Sequence, residues 1–291
     1  MKTISANKIT KIVAELCIRA NLVLRKDVLS LLHNAYLKEK NSRAKKILQA
    51  IIENAKIARK EKLAICQDTG LPCVLVEIGN AIKINGDLRA AINKGIESGY
   101  KKGYLRNSVI INPLLRGKPK YSPGVIHFDF VKGNKLKLTV LPKGFGCENK
   151  AQLRMFRPTA EINEIKKFIL EAVKSAGPDA CPPYVVGVGI GGTADYACFL
   201  AKKALLREIG RKGQSPSGTV PSELKGDLGI VLGLERELLY EINKLNIGPM
   251  GLSGKATALA VNVETFPTHI AGLPVAVNIC CHALRSATAT L

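Results

Sequence analysis

The feature that most constrains this chain is a change of period in its apolar residues. Up to about residue 60 they recur every three to four positions. Ile9, Ile12, Val13 and Leu16 make one run, Leu31 and Leu32 follow Asp27, and Ile47, Leu48, Ile51 and Ile52 follow Ser42. That spacing predicts helices over residues 5–60. After a break at Cys66-Gln67-Asp68-Thr69-Gly70 the pattern becomes strand-like over Cys73–Ile78. A helix is expected over Asp87–Gly99. Alternation at Ile126–Phe130 and Leu136–Leu141 predicts an antiparallel pair joined near Gly133-Asn134. Further helices are expected from Pro158-Thr159 to about Ser175, over Ala194–Ile209 and over Leu232–Leu245. A buried strand is expected over Val185–Ile190, running into Gly191-Gly192, and more strands from Ala256 onward. The Gly/Ser/Pro-rich segment Arg211–Gly218 predicts a mobile loop. The class is therefore mixed α/β. A helical N-terminal layer over 1–60 is expected to pack on a mixed α/β core, all within one continuous domain over 1–291.

Charge comes next, because it separates partner classes. Lys and Arg number 44 against 23 Asp and Glu, a net charge of +21. Such an excess invites a nucleic-acid partner. The basic residues, however, are spread along the whole chain. With no Trp, seven Phe and seven Tyr, stacking platforms for single strands are scarce. Small anionic substrates or an acidic partner subunit account for the charge equally well. No apolar stretch approaches the roughly 18 residues of a membrane helix. The opening MKTISANKIT has no apolar core of a secretory signal. The expected setting is cytoplasmic, with no membrane and no disulfide framework.

Two nucleotide motifs almost form. Gly187, Gly189 and Gly192 satisfy G-x-G-x-x-G, but they lie inside the expected strand and position 212 is Lys where an acid is needed. Gly248–Ala256 is one residue too long for a P-loop and ends in Ala instead of a hydroxyl residue. The eight cysteines include no C-x-x-C pair. Cys17 and Cys198 sit in helical apolar patterns and are expected to be plain core residues. Cys66, Cys147, Cys181 and the Cys280-Cys281 pair instead fall at breaks beside Gly, Pro or polar residues. Three or four thiolates from such loops can hold a soft metal or an iron–sulfur cluster. Scattered structural cysteines would give the same pattern. A carboxylate beside a cysteine, as at Asp68, can move a proton, although Asp-Thr-Gly alone also reads as a turn.

These stretches carry a family resemblance. The chain resembles the α subunit of the iron–sulfur-dependent class I fumarate hydratases and L-tartrate dehydratases. The matching residues are Ile65–Gly70, Gly103–Val109 with Asn112-Pro113-Leu114, Leu141–Asn149, Cys181-Pro182-Pro183-Tyr184, Gly187–Thr193, and the tail from His269 to Arg285. The resemblance implies a [4Fe–4S] cluster held by Cys66, Cys181 and Cys281. Cys281 is preferred to Cys280 because the family pattern Cys-x-Ala-x-Arg fits Cys281–Arg285. Cys147 stands where the family carries Ser. The resemblance further implies Asp68 in an acid/base role, with Gln67, Arg106, Gly146 and His269 binding the substrate. The iron without a protein ligand would act as a Lewis acid. Fumarate hydration to L-malate is the leading expectation, with L-tartrate dehydration as the alternative. An iron–sulfur scaffold without catalysis and a basic nucleic-acid binder are the other classes. The catalytic base and further cations of such enzymes lie in a second part absent from this chain. A separate β subunit is therefore expected, in an α2β2 or similar assembly.

Overall fold

The computed structural model describes residues 2–209 and 228–291, so the expected loop at Arg211–Gly218 lies outside the described residues. In chain order the elements are β1 (Lys2–Ser5), α1 (Ala6–Leu22), α2 (Lys26–Lys38), α3 (Ser42–Glu61), β2 (Leu71–Gly79), β3 (Ile82–Asn85), α4 (Leu88–Lys102), β4 (Val125–Val131), β5 (Leu136–Lys143), the single turn α5 (Phe145–Glu148), β6 (Gln152–Phe156), α6 (Ile162–Ala176), β7 (Tyr184–Gly192), α7 (Ala194–Ala204), α8 (Leu228–Lys244), β8 (Ala258–Thr268), β9 (Leu273–Cys280) and β10 (Ala287–Thr290). Mixed α/β is thus the observed class. No described helix is long and apolar enough to cross a membrane.

The described chain falls into two compact units. The first comprises Met1–Arg25, Asn54–Phe145 and Arg285–Leu291; the second comprises Lys26–Glu53 and Gly146–Leu284. The N-terminal helical run is shared: α1 belongs to the first unit, α2 to the second, and α3 has residues in both.

In the first unit Ser5 caps α1 by accepting the Lys8 N–H (3.4 Å), and Asp87 caps α4 by accepting the Ala90 N–H (2.9 Å). Ile9, Val13, Leu16 and Cys17 of α1 face Ile92, Ile96 and Tyr100 of α4 in one buried cluster, together with Val74, Val76, Leu138 and Val140 of the sheet. The sheet order is β10-β5-β2-β4, beside a parallel pair of β1 and β3. The expected β4–β5 pair is corrected here. The two strands run in opposite senses, but β2 lies between them, parallel to β4 and antiparallel to β5. Burial explains the order. Pro72, Cys73, Val74 and Val76 give β2 apolar residues on both faces, which suits a central position. The half-exposed, alternating β4 suits an edge. The Gly133 turn closes around the end of β2, where Gly79 N–H binds Lys135 O and Ala81 N–H binds Gly133 O, each at 2.9 Å.

In the second unit the sheet order is β6-β9-β7-β8, with β7 parallel to β8 and antiparallel to β9. Helices α6 and α8 cover it through Phe168, Ile169, Val173, Leu238 and Ile242, which pack with Val186, Val188, Val263 and Val277. The glycines that imitate a dinucleotide motif serve packing. A Cβ at Gly187 would stand 2.1 Å from Ala201 O, and one at Gly189 2.1 Å from Ala197 O. The glycines let α7 lie directly on β7. Cys198 is a second correction. Ala197, Leu200, Ala201 and Ala204 take the inward face of α7, so the helical phase turns Cys198 out to solvent.

Candidate active site

In the first unit one end of the sheet gathers chemistry. Leu71 of β2 is paired with Lys143 of β5, and Ala287 of β10 with Val140 of β5. That register brings together the segment before β2 (Cys66–Gly70), the turn after β5 (Gly144-Phe145) and the segment before β10 (Arg285). Asp68 is the centre of the group. Its Oδ1 accepts the Gly70 N–H (2.9 Å) and its Oδ2 accepts the Phe145 N–H (2.8 Å). The glycine turn therefore receives an anion on a backbone amide, and that anion is the chain's own carboxylate. Gly144 permits the approach, since a Cβ there would lie 3.2 Å from Asp68 Oδ2.

Arg106 joins the same group. Its backbone N–H donates to Thr69 Oγ1 (3.0 Å), and its guanidinium Nη1 donates to Gln67 O (3.4 Å) while remaining exposed. The Cys66 thiol donates to Gln67 Oε1 (3.5 Å). Below them the buried Tyr100 hydroxyl donates to Thr69 O (2.8 Å) and Gly70 O (3.1 Å). Burial pushes the Tyr100 phenol well above its ordinary value, so it stays a donor. The first unit thus unites Cys66, Gln67, Asp68 and Arg106, four of the residues expected from sequence. Arg285 and Thr69 were missed. Their signal was their place inside the quoted Cys281–Arg285 and Cys66–Gly70 stretches.

In the second unit the antiparallel pairing of Val185 with Cys280 brings the segment before β7 and the end of β9 to one sheet end. Cys181 takes a left-handed conformation there (φ 52°, ψ 68°) after the Pro178–Ala180 turn. Its carbonyl accepts the His282 N–H (3.3 Å) and the His282 Nδ1–H (3.1 Å), which ties the Cys281-His282 segment to Cys181. Gly146 belongs to this end: a Cβ on it would meet Asp179 O at 3.7 Å, an ordinary contact. His269 does not join them. It occupies the β8–β9 turn, at the other end of the eight-residue β9 and so roughly 25 Å along the strand from Cys281. Its Nδ1 accepts the Ala271 N–H (3.1 Å).

The cysteines sort cleanly by environment. Cys17, Cys73, Cys147 and Cys280 are buried within α1, β2, α5 and β9, and Cys198 is exposed on α7. The Cys147 thiol is spent on Ala180 O (3.4 Å). Cys66, Cys181 and Cys281 are the half-exposed ones and lie outside every helix and strand. Three accessible thiols on irregular backbone suit the donor chemistry of an iron–sulfur cluster. Among the described residues no three His, Cys, Asp or Glu side chains stand close enough together to hold a metal ion.

Comparison with known proteins places the chain among relatives. The family model described as Fumarate hydratase (Fumerase) matches residues 10–290. A protein of Methanocaldococcus jannaschii, provisionally named L(+)-tartrate dehydratase subunit alpha, is 41% identical over 288 residues and 96% of each chain. The L(+)-tartrate dehydratase subunit alpha of Escherichia coli is 29% identical over 289 residues, 98% of this chain and 91% of its own. The protein of that name in Shigella boydii is similar to the same extent.

Proposed function

The chain belongs to the fumarate hydratase (fumerase) family, and we propose that it is the α subunit of an iron–sulfur hydro-lyase that interconverts fumarate and L-malate. The observation that carries this reading is Asp68. Its carboxylate is anchored through both oxygens by backbone N–H groups, on the same segment as Cys66 and beside Arg106. An anchored carboxylate keeps one geometry while its proton moves, which is what general acid/base work requires. The exposed Arg106 guanidinium offers a planar fork for one carboxylate of a dianionic substrate. The Gln67 amide next to it supplies a neutral donor. Cys66, Cys181 and Cys281 would hold a [4Fe–4S] cluster, which supplies Lewis acidity toward hydroxyl and carboxylate oxygens. Gly146 lies at the Cys181 end, where its backbone can approach an anion. We leave His269 out of that set because it lies at the far end of its sheet.

Elimination of water also needs a base for the proton on the carbon beside a carboxylate. We assign that base to a separate β chain, within an α2β2 or similar assembly. Support for a partner comes from the turn at Asn112, whose Oδ1 accepts both the Leu114 and Leu115 N–H groups (3.0 Å each) and holds these side chains 90% and 82% exposed. The names of the relatives favour a second substrate, L-tartrate, which loses water to give oxaloacetate.

The test is anaerobic reconstitution of the chain with iron and sulfide, followed by assays of malate and L-tartrate dehydration with and without the β chain. Turnover is expected only in the two-chain complex, and faster on malate. Faster turnover of L-tartrate would transfer the assignment to the second reading. Full activity of this chain alone would sink the two-chain reading.

A further inference from the structure

The proposed chemistry leaves unused a buried guanidinium beside Asp68. Arg285 is 4% exposed, and its Nη2 donates to the Asp68 backbone carbonyl. Its Nε and Nη1 are buried with no hydrogen-bond partner among the described residues. A guanidinium needed only to fill space would be replaced at lower cost by an apolar side chain, since unpaired buried donors are expensive and charged ones more so. Its surroundings indicate what it is kept for. A Cβ at Gly144 would lie 3.2 Å from Asp68 Oδ2 and 3.9 Å from Arg285 Nη2, so carboxylate and guanidinium flank the same glycine. Two residues farther on, Ala287 pairs with Val140 of β5 and roots the arginine in the sheet.

We propose that Arg285 is the positioning residue for Asp68, clamping the carbonyl of the Asp68 peptide so that the carboxylate meets the Gly70 and Phe145 amides. The three contacts divide the work. The two amides fix where the carboxylate oxygens lie, and the arginine fixes the backbone from which the side chain departs. Arg285 touches no reacting atom. It differs in this from Arg106, whose guanidinium is exposed and can meet substrate. Loss of Arg285 should therefore appear in turnover and not in substrate affinity, because a small displacement of an acid/base group weakens catalysis far more than binding. The kinetic part of this inference rests on the hydro-lyase reading; the part about Asp68 geometry does not.

The experiment compares Arg285→Met and Arg285→Lys with wild type in the two-chain holoenzyme. Arg285→Met is expected to lower kcat about 10- to 100-fold with KM within about twofold. Arg285→Lys, which keeps the charge and one donor, is expected to recover most of that loss while remaining two- to tenfold below wild type. Asp68→Asn serves as the comparator, with kcat down about 10²–10⁴. Unchanged kcat in Arg285→Met, or a loss carried by KM, overturns the proposal. If Arg285→Met does not fold, Arg285→Lys decides: lower kcat at constant KM upholds it, while wild-type kcat or a raised KM overturns it. Hydrogen exchange at the Gly70 and Phe145 amides gives a second readout that needs no turnover. Roughly tenfold faster exchange in whichever variant folds supports the clamp, and wild-type exchange overturns it. A complex inactive on every substrate would count against the proposed function alone, with amide exchange still judging Arg285.

Discussion

At the residue scale the cysteines show how environment assigns chemistry to identical side chains. Cys17 lies in the core between α1 and α4, and burial alone pushes its thiol up to about 12, so at neutral pH it holds no thiolate for a metal. Cys280 and Cys281 are neighbours with different fates, because β9 ends between them. Cys280 is paired with Val185 inside the sheet, and Cys281 is past its end. Replacing Cys66, Cys181 or Cys281 singly with Ser is expected to abolish the iron–sulfur absorbance of the reconstituted protein, while Cys17→Ser and Cys198→Ser keep it. A cluster that survives Cys281→Ser and is lost in Cys280→Ser would reverse the assignment. That Cys66, Cys181 and Cys281 fall at breaks was legible from flanking Gly, Pro and polar residues. Which cysteine of the adjacent pair faces the core was not, since that depends on where the ladder stops.

At the element scale the glycines of β7 and the order of the first sheet make the same point. A G-x-G-x-x-G string is chemically silent until its neighbours are known. Here Ala197 O and Ala201 O of α7 occupy the space that side chains on Gly187 and Gly189 would need. Gly189→Ala puts a methyl against a carbonyl that cannot move without lifting the helix, so it is expected to destabilise the second unit by about 1–3 kcal/mol. Urea unfolding followed by circular dichroism measures this, and a midpoint equal to wild type would show that α7 yields freely. The strands at 125–131 and 136–143 were legible from alternation. Their pairing was not, because period two places residues on faces without naming the neighbouring strand.

At the scale of the whole molecule, most charged side chains among the described residues are exposed or half-buried, whereas Arg207, Glu235 and Glu264 gather inside the second unit. Arg207 binds Glu235 through Nη2 and stands 3.8 Å from Glu264 through Nη1, while Glu235 Oε1 also accepts the Val263 N–H (2.8 Å). Two carboxylates share one guanidinium. Burial therefore outweighs the pull of Arg207 and raises Glu264 from 4.5 to about 7. A carboxyl raised on folding binds its proton more tightly in the native state than in the unfolded chain. Its effect on stability is thus neutral below about pH 4.5, becomes a growing penalty as pH rises toward 7, and is fully unfavourable above that. Glu264→Gln is expected to raise stability at about pH 8 by on the order of 1–3 kcal/mol and to change little near pH 4. Denaturant titrations at the two pH values check this; a Gln variant weaker at the higher pH would mean that the Glu264–Arg207 attraction dominates.

The amino-acid sequence by itself determined the class of the fold, the position of nearly every helix, the breaks at which Cys66, Cys181 and Cys281 fall and, through Cys66–Gly70 and Cys181–Tyr184, the family. These are local properties: period, capping and breaks are written within a few residues of where they act. Tertiary structure alone decided that β2 separates β4 from β5, that Cys198 faces water, that His269 and Cys281 stand at opposite ends of β9, and that Arg285 reaches back over 217 positions to Asp68. Each of these depends on strand register and helix phase, which long-range burial selects among local patterns that are otherwise equivalent.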